Sequence, residues 1–370
     1  MPIHIIQLAA VVLLTLLPSF CHADILIGQT AAFTGASSVS VKECTDGANL
    51  YINSVNAKGG VFGQRIKLIS LDDGIEPERS VTNAKVLLDQ GVLALFLTRG
   101  TPNTLAILPL LDKYQTPLVA PSTGAMPLHK PVNQWVFNVR TSYQREAERV
   151  VQHLQLIGLS KLAIIQVDDS FGSDAVQGAL RALSDARLAP VSHMRFDRAQ
   201  PKFSSWMNKV VDSAPQAVLF IGSAATVADG IAQLRASGSR AQAVTLSNNA
   251  SAGFIKALGV NSRGVVVSQV FPYERSTSLA FVREAMDLAK SAGNVELTPQ
   301  SLEGFAAAKV LVEALRRAGP KPTRQILRAA LDGMRSYDLG GLSLGYNPSS
   351  HSGLDFVDLA IIDSSGRYMR

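Results

Sequence analysis

The sequence predicts an α/β protein built from two doubly wound parallel-sheet lobes. Three observations carry that expectation. Short apolar runs alternate with helix-period segments along nearly the whole chain. The 370 residues, 47% of them hydrophobic, are enough for two α/β domains. The strand–helix units are too many for one sheet of ordinary width, and no Pro/Gly-rich linker separates two halves, so several short strand crossings around a cleft are expected.

The elements follow in order. Pro2–Ala23 carries no charged residue. Its apolar core, Ile5–Leu17, is too short to span a bilayer comfortably, and Cys21-His22-Ala23 fits small-residue cleavage. Residues 1–23 therefore read as a signal peptide and the product as a soluble exported protein, with an uncleaved anchor helix as the alternative. The strand Asp24–Gln29 leads through a Gly-bearing loop to a helix over Val41–Ala57, which ends at Lys58-Gly59-Gly60. Arg65–Leu71 alternates like a strand, Pro77–Gln90 like a helix, and Leu93–Leu97 is the next strand. It stops at the polar loop Thr98–Asn103, with a helix over Thr104–Lys113. A short strand, Leu118–Ala120, runs into a second polar loop, Pro121–Gly124. The rhythm continues through Trp135–Val139, Tyr143–Ile157, Leu162–Val167, Phe171–Leu188, Val191–Arg195, Lys202–Asp212, Ala217–Ile221, Ala224–Ser237 and Ala243–Leu246. After a strand at Val265–Val270, helices cover Leu279–Ala292, Gln300–Ala318 and Thr323–Leu331, and the tail returns to strand at Leu342–Leu344 and Phe356–Ile362.

Composition excludes several classes. The charge of +6 is scattered, with no basic run, so no nucleic-acid partner is expected. No cofactor is expected either, since neither a Walker A motif nor G-x-G-x-x-G occurs. His129, His153, His193 and His351 lack metal-ligand spacing. After cleavage the lone thiol, Cys44, is expected to be a small buried residue. Gly341-Leu342-Ser343-Leu344-Gly345 matches a nucleophile elbow, but a turn follows where a helix is required, so it reads as a glycine-flanked strand.

The polar loops are the better candidates, because ligands of open α/β sheets bind at the carboxyl ends of strands. Thr101 precedes a helix start, where its hydroxyl and the first-turn amides could grip a carboxylate; capping the helix is the compatible alternative. Ser122 and Thr123 repeat the pattern one strand later. Arg99 could clamp a carboxylate, but an arginine there is expected to face solvent. Tyr143 and Phe171 begin helices of the second lobe and either cover an organic ligand or pack in the core. Asp72-Asp73 and Asp168-Asp169 read as turn and cap residues, with one of Asp168 and Asp169 able to meet a ligand ammonium. Neither loop carries a catalytic base, so the chain is expected to hold a small molecule rather than transform it.

The stretches Val55-Asn56-Ala57-Lys58-Gly59-Gly60-Val61-Phe62-Gly63, Leu71-Asp72-Asp73, Gly100–Ala106, Val119–Ala125 and Asp168–Gly172, in this order, resemble the periplasmic substrate-binding proteins of branched-chain amino-acid ABC transporters, the leucine-binding type. The resemblance implies a type I periplasmic binding protein clamshell with three hinge crossings, and a monomer that closes on an amino acid or related acid. It divides the chain into 24–140 plus 270–337 for one lobe and 141–269 plus 338–370 for the other. It implies that the Thr101 loop holds the ligand carboxylate and that Ser122, Thr123 and Gly124 add a carbonyl, an amide and a hydroxyl. By position it places the facing residues at Phe171, Ser223 and Ser247. Ser223 stands where an aromatic is expected, and Ser247-Asn248-Asn249 offers no acid for an ammonium. The implied partner is an ABC permease, or alternatively a membrane sensor to which the protein reports its ligand. A hydrolase using Ser343 and a sugar-responsive regulator core are the other readings; the latter would need an N-terminal DNA-binding domain where this chain has an export signal.

Overall fold

The computed structural model describes residues 23–370, so the expected signal segment lies outside the described residues except for Ala23. The first lobe is wound from β1 (Ile25–Ala31), α1 (Ser38–Ala57), β2 (Ile66–Asp72), α2 (Pro77–Asp89), β3 (Ala94–Phe96), α3 (Thr101–Tyr114), β4 (Leu118–Val119) and β5 (Val136–Phe137). Its five strands are all parallel, in the order β2-β1-β3-β4-β5.

The chain then crosses to the second lobe. There it forms α4 (Tyr143–Leu156), β6 (Leu162–Val167), α5 (Ser170–Asp185), β7 (Ser192–Phe196), α6 (Met207–Asp212), β8 (Ala217–Ile221), α7 (Ala224–Ala236), β9 (Gln242–Thr245), α8 (Ala252–Leu258) and β10 (Val266–Gln269). A second crossing returns it to the first lobe for α9 (Ala280–Ser291), α10 (Pro299–Ala318), α11 (Arg324–Asp332) and a ribbon of β11 (Tyr337–Asp338) and β12 (Ser343–Leu344). The third crossing delivers β13 (Asp358–Ile362) and β14 (Tyr368–Met369), which close one edge of the seven-stranded sheet β14-β13-β10-β9-β8-β6-β7. β13 and β14 pair antiparallel; the other strands of that sheet run parallel. Helices on both faces explain why β6 and β8 are buried along their whole length and read as unbroken apolar runs.

One expected boundary moves. Residues from 338 onward do not all belong to the second lobe. Leu339, Leu344, Tyr346 and Leu354 are buried in the first lobe's core with Phe137 and Phe281. The Tyr346 hydroxyl donates to the carbonyl of Asn138 at 2.8 Å. A short strand pattern reveals that residues pair, but not which lobe supplies the apolar surface they cover, and this one covers the first. The expected helix over Lys202–Asp212 is also shorter, with a single tight turn at Phe203–Ser205 before α6.

The first lobe is closed by direct backbone contact between α1 and α10. A Cβ at Gly47 would lie 1.9 Å from the Ser301 carbonyl oxygen, and one at Gly304 would lie 1.7 Å from that of Cys44. Only hydrogen fits at either crossing point. Cys44 is buried there, and desolvation pushes its thiol up, so it stays protonated and packs as a small apolar residue.

Candidate functional site

The two polar loops leave β3 and β4 side by side. Phe96 and Val119 are register partners, and the residue after each is left-handed, Leu97 at φ 48° and Ala120 at φ 52°. This conformation costs a branched or Cβ-bearing residue about 1–2 kcal/mol. Both sites are fully buried, so packing holds them. The turns carry the loops out of the sheet together, still joined by a bridge between Arg99 and Ser122 and by the Ser122 amide donating to the Thr98 carbonyl at 2.8 Å.

Gly100, at φ 88°, occupies the cap position of α3, so Thr101 is the first helical residue and its hydroxyl is free of capping duty. That hydroxyl lies 2.8 Å from the Thr123 hydroxyl, both buried. Pro102 has no amide, which leaves the Thr101 and Asn103 amides as first-turn donors without a partner inside the helix. Together with the helix dipole, this arrangement suits a carboxylate.

Beneath the loops lies a network of buried charge. Arg99 is 8% exposed, not solvent-facing as expected from its loop position. Its guanidinium donates to Ser122 Oγ (2.7 Å), Gln300 Oε1 (3.3 Å), Ser40 Oγ (3.2 Å) and, across the cleft, the Asn248 carbonyl (2.8 Å). Ser122 passes its own proton to Glu303 at 2.6 Å. Arg140, in the first crossing, pairs with Glu146 and donates to Ser247 Oγ at 2.9 Å. Glu146 also accepts from the Ser247 amide (2.9 Å) and Ser268 Oγ (2.5 Å). Burial lowers the pKa of Arg140, but Glu146, Tyr143 and Glu303 more than offset it, so the group stays charged. A second bond between lobes forms where Glu43 of α1 accepts from the Ala252 amide at 3.1 Å. Burial raises the Glu43 carboxyl pKa.

The facing wall comes from the second lobe. The Tyr143 and Phe171 rings pack at a tilt of 59°, 4.7 Å between centroids, and the Arg140 guanidinium lies 4.4 Å from the centre of the Tyr143 ring. Both rings belong to the second lobe's core and also line the cleft. Asp169 caps α5 through the Phe171 and Gly172 amides and pairs with Arg198. Asp168 turns outward, 3.6 Å from Arg195. Neither acid is among the residues lining the cavity.

The cleft narrows to a small cavity of about 40 Å³ lined from both lobes. Of the eight expected site residues it brings Thr101, Tyr143, Phe171 and Ser223 together. Ser122 and Thr123 sit one layer behind, spent on Arg99, Glu303 and Thr101. The Gly124 carbonyl accepts from the Tyr143 amide, and a Cβ there would lie 2.6 Å from the Thr141 carbonyl oxygen, so no hydroxyl-bearing residue fits. Ser247 is locked between Arg140 and Glu146, away from the cavity wall. The wall adds Ser37, Ile75, Arg99, Pro102, Arg198 and Asn248. Arg99 and Pro102 lie in the polar loop already singled out and Asn248 beside Ser247, whereas nothing in the local pattern marked Ser37, Ile75 and Arg198, which converge from distant segments. Two wider hollows, about 480 and 500 Å³, flank α9 but open broadly on the first lobe.

The motif at Ser343 lies in the β11–β12 ribbon with no helix after it. His351 is occupied elsewhere, bonded to Asp332 at 2.8 Å and stacked on Phe137. Asp72 and Asp73 shape their loop by accepting from Phe33, Thr34, Gly74, Thr30, Ile75 and Ser80.

Residues 24–366 match the family model described as periplasmic binding protein. Among solved structures, the chain is similar to a substrate-binding periplasmic protein from Ralstonia solanacearum, with 30% identity, a TM-score of 0.87 and coverage of 94% of this chain and 99% of that one. It is also similar to a possible leucine/isoleucine/valine-binding protein from Rhodopirellula baltica SH 1, with 26% identity, a TM-score of 0.86 and coverage of 94% and 96%. A Leu/Ile/Val-binding protein homolog 3 from Brucella melitensis is 21% identical over 302 residues, 81% of each chain.

Proposed function

The chain belongs to the periplasmic binding protein family, and from that premise we propose that it captures a small carboxylate-bearing ligand, an amino acid or a related organic or aromatic acid, between its lobes and delivers it to an ABC permease. The observation that carries this reading is one cavity in which Thr101, at the α3 amino end and backed by Thr123, faces the Tyr143–Phe171 pair of the other lobe. Hydroxyls and amides bind the carboxylate; the rings bind the body. The relatives named above are described as binding proteins, two of them for leucine, isoleucine and valine, which supports ligand capture.

Function follows as a population shift. A ligand touching both lobes stabilises the closed state by the contacts it makes only there, and a membrane partner reads that state. Arg99 on Asn248 and Glu43 on Ala252 are the bonds that closure completes. Export to the periplasm belongs to the same reading.

A thermal-shift screen of amino acids and organic acids tests it. A ligand at 100 times its Kd stabilises by about 2.7 kcal/mol, a shift of several degrees. At least one carboxylate is expected to raise the melting temperature while its alcohol analogue does not. Equal shifts from acid and alcohol, or none from any acid, would overturn the proposal.

A further inference from the structure

The cavity wall carries cations and no acid. Arg99 and Arg198 line it, and none of the lining residues is Asp or Glu. The neighbouring carboxylates stand outside the cavity lining. Asp169 holds Arg198 and two helix amides, and Asp168 is more than half exposed beside Arg195. Glu146 takes Arg140, the Ser247 amide and Ser268. Glu303 takes Ser122 and Gln300 and lies 3.9 Å from Arg140. Arg99 itself donates only to uncharged oxygens, and Glu303 reaches it only through Ser122 and Gln300.

Arg198 is balanced by Asp169, but Arg99 has no carboxylate in direct contact, so a ligand ammonium beside it would be desolvated next to an unneutralised guanidinium, which is unfavourable on both counts. A carboxylate gains from the same field. The tilted Tyr143–Phe171 pair, its ring planes 59° apart, offers a hydrocarbon or aromatic body an apolar wall.

We propose that the site selects carboxylic acids with an apolar or aromatic body and no ammonium group, and that Arg99 and Arg198 are the residues that set this preference. The inference rests on the cleft being the carboxylate-capturing site. Calorimetric titration of the protein with matched pairs tests it: 4-methylpentanoate against leucine, and 3-phenylpropanoate against phenylalanine. Each pair differs by one ammonium. The expected result is that at least one deaminated acid binds at least tenfold tighter than its amino-acid partner. Arg198→Gln, at a partly exposed position, narrows that gap several-fold. Leucine or phenylalanine binding as tightly as its deaminated partner would overturn the preference, and the wild-type comparison needs no variant to fold. Failure of all four to bind is a different signature: it removes capture of these acids by the cleft, and the preference with it.

Discussion

Two regions of the cleft pair arginine with carboxylate, in opposite settings. On the floor, Arg140, Glu146 and Glu303 are at most 5% exposed at the side chain, and every carboxylate takes further hydrogen bonds. At the second lobe's rim, Asp169 and Arg198 are a fifth and a third exposed, and Asp168 and Arg195 more than half. The same chemistry therefore does different work. Buried pairs are desolvated, so they hold geometry only while every partner is present. Exposed pairs are screened and worth little, so they are free to vary and to tune what the cleft admits.

The largest effect should come from breaking the floor. Glu146→Gln leaves the Arg140 charge buried without its partner, and about 3–5 kcal/mol of stability should be lost. Denaturant unfolding checks this; a loss no larger than a surface substitution would erase the contrast between floor and rim.

A pH titration sharpens the same contrast. His129 lies beside the floor, 4% exposed, and burial together with the Arg140 charge pushes its pKa down to about 4 from 6.5. On acidification the unfolded chain takes up a proton on this histidine through its ordinary range, whereas the folded chain resists until about pH 4. Its contribution is therefore fully present above the ordinary value and falls away as the pH drops between the two. Between about pH 7 and about pH 5 the wild type should lose roughly 2 kcal/mol more than His129→Gln. Parallel pH curves for the two proteins would show that this histidine is not held neutral.

Smaller again is Thr101→Ala. It removes one hydroxyl from the carboxylate end and should weaken acid binding about tenfold, the equivalent of roughly 1.4 kcal/mol. Calorimetry alongside a melting curve distinguishes lost contact from lost fold. Asp168→Asn should change least, within about 0.5 kcal/mol in unfolding; a larger loss would show that the rim is as structural as the floor.

Part of this was legible in the sequence. The strand–loop–helix grammar around Leu93–Gly124 located one half of the cavity, because a polar loop after an apolar run at a sheet's carboxyl edge has few other uses. Tyr143 and Phe171 were legible as helix starts after polar turns. The floor was not, because Arg99, Arg140, Glu146, Ser268 and Glu303 stand far apart in the chain and no local pattern connects them. Arg99 looked like a solvent-facing loop residue until Ser40, Gln300 and Asn248 arrived from three other segments. The role assigned by position to Ser247 failed for a related reason, since the acid nearby, Glu146, comes from a different helix and serves the arginine behind the wall. The β11–β12 ribbon shows the same limit at the level of domains: its pairing was visible, its host lobe was not.

The central claim is that one ligand is held by both lobes at once. Isothermal titration of the best-binding acid into the wild type, Thr101→Ala and Phe171→Ala tests it most directly. The account predicts that each substitution, one on each lobe, weakens binding by about tenfold or more while both variants melt cooperatively. Unchanged affinity in both folded variants would contradict it.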